Sequence, residues 1–214
     1  MPGVTAKTAD PTATTTSCII GVVADTHIPD RARDLHPSLL PALREAGVSH
    51  ILHAGDICAR RVLDSLASVA PVTAVRGNRD IFIPELLMVE QQDFCGVRIA
   101  VTHGHGGLVS YFLDKGKHLL YGYKVDHYIK DLLIAAPHAN VIVFGHTHHP
   151  IALKVEDKLL FNPGSATSGP WERRGPSFGL ISVAPDGAVQ TRVVPLTGYV
   201  LRRGWWVEHK EKTR

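Results

Sequence analysis

The chain has 214 residues and a formal net charge of +3, from 23 Lys and Arg against 20 Asp and Glu. Its hydrophobic content of 44% and charged content of 20% are typical of a globular domain and exclude wholesale disorder. The basic residues are scattered along the chain, so this charge is compatible with an anionic substrate but indicates none.

The composition predicts one domain between two tails. Residues 1–17 are rich in Thr, Ala and Pro and lack the apolar core of a secretory signal, so we expect a disordered tail there. The domain is expected to span residues 18–200, with a charged C-terminal tail at 201–214. No segment is apolar for long enough to cross a bilayer. The three cysteines show no CxxC or paired pattern, which favours a reducing compartment, and we expect the protein in the cytoplasm.

The first half of the domain alternates short β-branched runs with amphipathic segments. In chain order we expect a strand in CIIGVVAD, a helix in HPSLLPALREAG, a strand in SHILHAGD, a helix in ARRVLDSLASVA and a strand in PVTAVRGN. Strands that alternate with helices imply a mainly parallel sheet covered by helices.

The second half is richer in hairpins. LLMVEQQDFCGVRIAVTHG predicts two strands joined by a turn around Asp93 to Gly96, YGYKVDHYIKDLLIAA a helix and NVIVFGH a strand. The pairs IALKVE with KLLFN, and SFGLISVA with AVQTRVVPL, are joined by short turn sequences typical of hairpins. We therefore expect one domain with two sheets packed face to face and helices outside.

Polar residues follow the predicted strands at their carboxyl ends. These residues are Asp25, His27, Asp56, Asn78, His103, His146 and His148. Ligands of α/β sheets bind in the crevice outside those ends, so residues distant in sequence are expected to meet in one pocket.

The short motifs have spacings that suit metal ligation. Asp25-Thr26-His27 separates two ligands by two residues, which in extended backbone points both side chains the same way. Gly55 beside Asp56 leaves room for a carboxylate that bridges two ions. The mixed imidazole and carboxylate set favours Mn, Fe, Zn, Ni or Co over Ca or Mg.

The ordered blocks DTH, GDIC, GNRD, HGH and GHTHHP, followed by Asn162-Pro163-Gly164-Ser165, resemble the calcineurin-like metallophosphoesterases. The likeness is greatest to their small, single-domain bacterial and archaeal phosphodiesterase branch and covers roughly residues 18–195. It implies an α/β fold, a four-layer αββα sandwich of two mixed β-sheets flanked by helices. It also implies two divalent metal ions, of which manganese is the expected one.

By the same resemblance, each ion has its own ligand set. Metal one would be held by Asp25, His27, Asp56 and His148, and metal two by Asp56, Asn78, His103 and His146. The ions of such sites lie about 3.5 to 4 Å apart, and a hydroxide that bridges them would attack phosphorus in line.

The sequence departs from larger family members at Arg79, where they carry a histidine thought to protonate the leaving group. Arginine remains charged and is a poor proton donor, but its forked guanidinium binds phosphate. The expected catalytic residues are Arg79, for phosphate binding, and His105. We therefore expect either a preference for esters with good leaving groups or a substitute acid such as His105.

Several other residues have structural interpretations. Asp80 is expected to orient Asn78 or its loop, and His53 to be a core or supporting residue. Asn162 to Ser165 are expected to shape the pocket wall, and Arg173 and Arg174 lie on a charged loop that either contacts phosphate or is simply solvated. The Trp205-Trp206 pair suggests packing on the domain or an oligomer contact.

Together these observations predict a binuclear metal-dependent phosphodiesterase acting on a small or nucleotide-like phosphate ester, without membrane contact and with homo-oligomers possible. The first alternative is a scaffold, because the retromer subunit of this fold resembles the same branch and works through protein interactions. The second is a nuclease, although the sequence shows no basic stripe for a long polymer.

Overall fold

The computed structural model describes residues 17–105, 125–168 and 175–209, without the side chains of 125–128. The expected tail at residues 1–16, the start of the predicted helix at 121–124, and Arg173 and Arg174 lie outside the described residues. In chain order the elements are β1 (Cys18–Val23), α1 (Leu39–Glu45), β2 (His50–His53), α2 (Arg60–Ala67), β3 (Val72–Ala74), β4 (Val89–Phe94), β5 (Val97–Thr102), α3 (Val125–Ala135), β6 (Val141–Val143), β7 (Ile151–Val155), β8 (Lys158–Asn162), β9 (Ser177–Val183), β10 (Val189–Pro195), β11 (Tyr199–Arg202) and β12 (Trp205–Glu208).

Two five-stranded mixed sheets form the body of the domain. The first has the strand order β10-β9-β1-β2-β3, with β1, β2 and β3 parallel and β9 antiparallel to β1. The second has the order β4-β5-β6-β8-β7, with β5, β6 and β8 parallel. Each sheet therefore has a parallel centre, which aligns the carboxyl ends of its middle strands.

The buried side chains form three layers. Along a strand they alternate between two neighbouring layers, because successive residues point to opposite faces of the sheet. Ile20 and Val22 of β1 face Ile99 and Val101 of β5 in the core between the sheets. Val23, one position on, instead joins the core beneath α1 and α2.

The outer cores complete the sandwich. Leu43 of α1 and Leu66 of α2 are fully buried against the first sheet, and Leu132 of α3 packs on Ala100 and Ile142 of the second sheet. Helix, sheet, sheet and helix therefore follow one another, and the predicted αββα fold is confirmed.

The C-terminal residues differ from the expected tail. Strands β11 and β12 pair antiparallel in a hairpin, with Val200 opposite Val207. Trp206 packs on the core beneath α1 and α2 and donates from Nε1 to the Asp34 carbonyl at 2.8 Å. Leu201 and Trp206 supply apolar side chains that a charged tail would lack, so the chain stays on the domain up to Glu208.

The cysteines also differ from the expected pattern. A disulfide joins Cys18 of β1 to Cys95 in the β4–β5 turn, 77 residues apart in sequence. Both residues pack against the core between the sheets, so this proximity arises from the packing of two sheets and has no local sequence signal. Cys58 is a free cysteine. None of the helices in the described ranges is long and apolar enough to span a bilayer.

Candidate metal centre

Loops at the carboxyl ends of parallel strands bring all seven predicted ligands together. Asp25 and His27 follow β1, Asp56 follows β2, Asn78 follows β3, His103 follows β5, and His146 and His148 follow β6. Two groups have ligand atoms within 4.8 Å of one another: Asp25, His27 and His148, and Asp25, Asp56 and His103. Metal ligation by these residues stays a prediction.

The backbone of these loops is left-handed where extended backbone was predicted. Positive φ angles occur at Asp25 (54°), His27 (48°), His146 (67°) and His148 (55°). Non-glycine residues adopt this region at a cost of order 1–3 kcal/mol, and such residues cluster at functional sites. The prediction of an extended DTH segment was wrong, because the chain turns immediately after β1.

Asp56 lies between two groups of imidazoles: His27 and His148 on one side, and His103 and His146 on the other. Its Oδ1 is 3.4 Å from His103 Nε2, and its Oδ2 is 3.7 Å from His27 Nε2. On the other side, His148 Nε2 lies 3.1 Å from His27 Nε2 and 3.4 Å from Asp25 Oδ1. One carboxylate oxygen therefore faces each group, which is the arrangement that a bridging ligand requires.

His103 is held by its second ring nitrogen. Its Nδ1 lies 2.7 Å from the Ala54 carbonyl oxygen, which fixes the proton there and turns Nε2 towards Asn78 Oδ1 at 3.0 Å. His146 Nδ1 approaches the same amide oxygen at 3.1 Å. Asn78, His103 and His146 therefore converge on one point.

Glycines allow the loops to approach this closely. A Cβ at Gly77 would overlap the backbone nitrogen and Oδ1 of Asp56, and one at Gly55 would lie 2.7 Å from His103 Nδ1. Gly55 also has a φ of 84°, which favours glycine.

Asp80 connects the GDIC and GNRD loops. Its Oδ2 accepts hydrogen bonds from the backbone N–H groups of Asp56 (2.9 Å) and Gly77 (2.7 Å), and its Oδ1 accepts one from Cys58 (2.7 Å). Its side chain is fully buried. The structure thus gives Asp80 the loop-orienting contacts expected of it.

Burial dominates the pKa shifts of three groups of the cluster, whereas at His103 it is outweighed by carboxylates, Asp56 first, which raise the pKa. Burial lowers the pKa of His27 and of His146 to about 3, and raises the pKa of Asp56 to about 6. Burial also acts to raise the pKa of Asp25, but neighbouring histidines, His148 first, hold it below its usual range. Neutral imidazoles and an ionised Asp25 are the states in which these groups bind metal.

The donor set fits divalent metal ions. The atoms that face one another are mostly acceptors: carboxylate oxygens, an amide oxygen and imidazole nitrogens, with the Nε2 atoms of His27 and His148 at 3.1 Å. Two neutral imidazole lone pairs at that distance need a proton or a cation between them. The mixed oxygen and nitrogen set is that of transition-metal sites.

Comparison with known proteins identifies the family. Residues 19–186 match the Calcineurin-like phosphoesterase superfamily domain. The chain belongs to this superfamily. A probable metallophosphoesterase of Methanothermobacter thermautotrophicus is 36% identical over 154 residues, which cover 70% of this chain and 77% of the relative.

Solved structures of two kinds share the calcineurin-like fold. Vps29 of Chaetomium thermophilum superposes with a TM-score of 0.61 at 26% identity, covering 83% of this chain and 96% of Vps29. An archaeal phosphodiesterase superposes with a TM-score of 0.53 at 19% identity, covering 82% of this chain and 99% of that protein.

The two residues predicted to be catalytic lie at this calcineurin-like site in different environments. Arg79 donates from its backbone N–H to Asp56 Oδ1 at 2.9 Å, while its side-chain Nε donates to Asp30 Oδ2 at 3.1 Å. His105 is buried, with its ring 5.3 Å from that of His103. Burial lowers the pKa of His105 to about 4, so it is neutral at pH 7.

Other polar residues support the ligand loops of the domain. His53 is fully buried with its Nε2 3.3 Å from Thr26 Oγ1, which agrees with a supporting role. Asn162 donates to the Gly145 carbonyl at 2.8 Å, and Ser165 Oγ donates to the Asp25 carbonyl at 2.8 Å. The expected pocket-wall segment therefore fixes the backbone of two ligand loops.

The sequence analysis missed Arg31. Its Nη1 donates to Ser168 Oγ at 2.6 Å and lies 3.4 Å from Nδ1 of His148, a predicted metal ligand. The available signal was its position four residues after His27, which a turn brings back over the site.

Proposed function

We propose that this chain is a binuclear metal-dependent phosphodiesterase that hydrolyses small or nucleotide-like phosphate esters. The observation that carries the proposal is Asp56, whose two oxygens each face a separate group of imidazoles. Family membership and the fold shared with an archaeal phosphodiesterase support phosphoester chemistry.

In this proposal the ligand sets are those expected from the resemblance. Asp25, His27, Asp56 and His148 hold one ion, and Asp56, Asn78, His103 and His146 hold the other, with manganese the first candidate. Divalent ions in such a site neutralise charge on phosphoryl oxygens and lower the pKa of water.

The chain's own residues position these ligands. Ala54 holds His103 through Nδ1, and Asp80 holds the backbone of Asp56, so neither side chain has to reorganise when a ligand binds. Arg79 fixes Asp56 through its backbone N–H and brings a guanidinium to the same rim. Buried His105 stands beside His103, but its pKa of about 4 leaves it unprotonated at pH 7, which favours a substrate or supporting contact over the proton donation expected of it.

A hydrolysis assay tests the proposal. Protein stripped with a chelator and reloaded with Mn²⁺ is expected to cleave bis(p-nitrophenyl) phosphate, and Asp56→Asn is expected to lose more than about 100-fold in kcat/KM. Asp93→Asn is the matched control, because Asp93 is exposed on the β4 strand and pairs with Arg98 away from the site.

The metal content decides whether the site is binuclear. We expect two Mn²⁺ per chain by calorimetric titration, with Asp56→Asn binding at least one ion much more weakly. Equal activity of Asp56→Asn and the parent chain would refute the proposed centre.

The alternative is a protein-interaction scaffold, which the Vps29 neighbour favours. Metal binding alone does not distinguish the two, because a scaffold can retain a metal site. Absence of hydrolysis of both monoesters and diesters by protein with full metal occupancy would favour the scaffold.

A further inference from the structure

Arg31 lies at the rim of the candidate metal centre because the chain turns after β1. Its backbone N–H donates to the His27 carbonyl at 2.8 Å, which closes a turn of five residues. The side chain is exposed to solvent. It therefore lies between the predicted ligands and bulk water.

One hydrogen bond, to Ser168, holds the guanidinium in this place beside His148. Its Nη1 donates to Ser168 Oγ at 2.6 Å, from the segment that follows β8, and lies 3.4 Å from His148 Nδ1, from the loop after β6. An arginine fork has five N–H donors. These contacts use one nitrogen, so the second terminal nitrogen retains donors for a ligand.

Arg31 has no carboxylate partner among the described side chains, unlike Arg79. The Arg79 guanidinium pairs with Asp30 at 3.1 Å. Among the described side chains, those of residues 17–105, 129–168 and 175–209, no carboxylate lies within ion-pair distance of Arg31. An anion that reaches this rim would therefore find Arg31 available for an ion pair, whereas Arg79 is already paired with a carboxylate.

We infer that Arg31 binds a non-bridging oxygen of the substrate's phosphate group and is a substrate-binding residue of this site. The inference rests on the proposed phosphoesterase function for its substrate, but the phosphate contact itself is measurable without turnover. Ser168 positions the guanidinium for this contact. In this arrangement the main role of Arg79 is to position Asp56 and Asp30, and its contribution to phosphate binding is smaller than that of Arg31.

Substitution of Arg31 tests the inference in two ways. In the Mn²⁺-loaded protein, Arg31→Gln is expected to raise KM for bis(p-nitrophenyl) phosphate about tenfold, with kcat changed by less than about threefold. Calorimetry with inorganic phosphate is expected to show a similar loss of affinity. Arg31→Lys is expected to recover part of it, because charge remains and the fork is lost.

The controls separate substrate contact from support of His148. Arg33→Gln removes a neighbouring exposed arginine that stacks on Trp205, and it is expected to match the parent chain. KM of the parent chain is expected to rise between ionic strengths of about 0.01 M and about 1 M, and that of Arg31→Gln to change less. Weaker Mn²⁺ binding with unchanged KM and phosphate affinity would overturn the inference, because Arg31 would then act through His148.

Failure of this inference is distinguishable from failure of the proposed function. Suppose that the Mn²⁺-loaded parent protein hydrolyses no ester, but that Arg31→Gln binds inorganic phosphate more weakly than the parent. The phosphate contact is then supported and the hydrolase proposal fails. If the parent protein is active and Arg31→Gln keeps its KM and phosphate affinity, the hydrolase proposal stands and the Arg31 inference is refuted.

Discussion

At the scale of single residues, the site depends on backbone conformations that side chains rarely adopt. Asp25, His27, Asp56 and His148 have positive φ angles and none is a glycine. A hydrogen bond from the Asp56 backbone N–H to Asp80 and one from Ser165 to the Asp25 carbonyl hold the loops in these conformations. The strain is thus maintained by the surrounding fold, and the ligand atoms are oriented before any ion binds.

Gly77 is the residue whose substitution tests this arrangement most directly. Gly77→Ala is expected to displace Asp56, since the new Cβ would overlap the Asp56 backbone nitrogen and Oδ1. The expected result is loss of Mn²⁺ affinity and a decrease of about 1–3 kcal/mol in the free energy of unfolding. Calorimetric titration and urea denaturation measure the two effects.

Gly175→Ala is the matched control, because a Cβ at Gly175 meets no atom of the described residues within 4 Å. It is expected to leave both quantities unchanged. Full Mn²⁺ affinity in Gly77→Ala would show that the GDIC and GNRD loops are not packed as closely as described.

At the scale of elements, the C-terminal hairpin closes the core beneath α1 and α2. The hairpin contributes Trp206, which contacts the His36 ring at a centroid distance of 4.6 Å and donates to Asp34. Trp205 points the other way and is 58% exposed. Two adjacent residues of one type therefore occupy opposite faces of β12, as strand geometry requires.

The Trp pair gives a prediction with an internal control. Trp206→Ala is expected to lower the free energy of unfolding by about 2–4 kcal/mol, because it removes a packed ring and leaves the Asp34 carbonyl without its partner. Trp205→Ala is expected to cost no more than about 1 kcal/mol, the value of its cation–π contact with Arg33. Urea denaturation compares them, and equal effects would contradict packing of the hairpin on the domain.

At the scale of the whole molecule, burial of neutral histidines makes stability depend on pH. Burial lowers the pKa of His36 to about 4 from an ordinary value of 6.5, while the Tyr199 backbone acts weakly in the opposite direction. The unfolded chain binds a proton at His36 below pH 6.5 and the folded chain does not until about pH 4. Stability is therefore lost as the pH falls through this window.

The prediction is a difference in slope between two chains. In metal-free buffer from pH 6.5 to 4, the free energy of unfolding of the parent chain is expected to fall more steeply than that of His36→Gln. The difference approaches about 1.4 kcal/mol per pH unit, the value of one proton. His138→Gln, which replaces an exposed histidine after α3, is the control, and identical slopes for His36→Gln and the parent chain would refute the burial effect.

Much of the architecture was predictable because hydrophobic period and chain order are local properties. The strands β1, β2 and β5 lie where short apolar runs predicted them, and the hairpins β7–β8 and β9–β10 follow their turn sequences. The C-terminal hairpin was not predicted, since it is short and its apolar residues are separated by charges.

The sequence predicted which residues belong to the candidate site, but not how they are arranged in space. Residues that follow parallel strands had to meet, so Asp25, Asn78 and His146 could be grouped from their positions alone. The left-handed turns after β1 and β6 were not apparent, because the motif letters carry no φ angle. Arg31 was missed because its role depends on contacts with Ser168 and His148, more than 100 residues away.

The sequence by itself determined the family, the succession of strands along the chain and the chemical nature of the ligands, because these follow from residue types and their spacing. Only the tertiary structure decided that Asp56 lies between two groups of imidazoles, that Cys18 meets Cys95, and that Arg31 reaches Ser168 and His148 at the rim. The reason is physical: distances between side chains on different loops are set by the packing of two sheets, and no local segment encodes that packing.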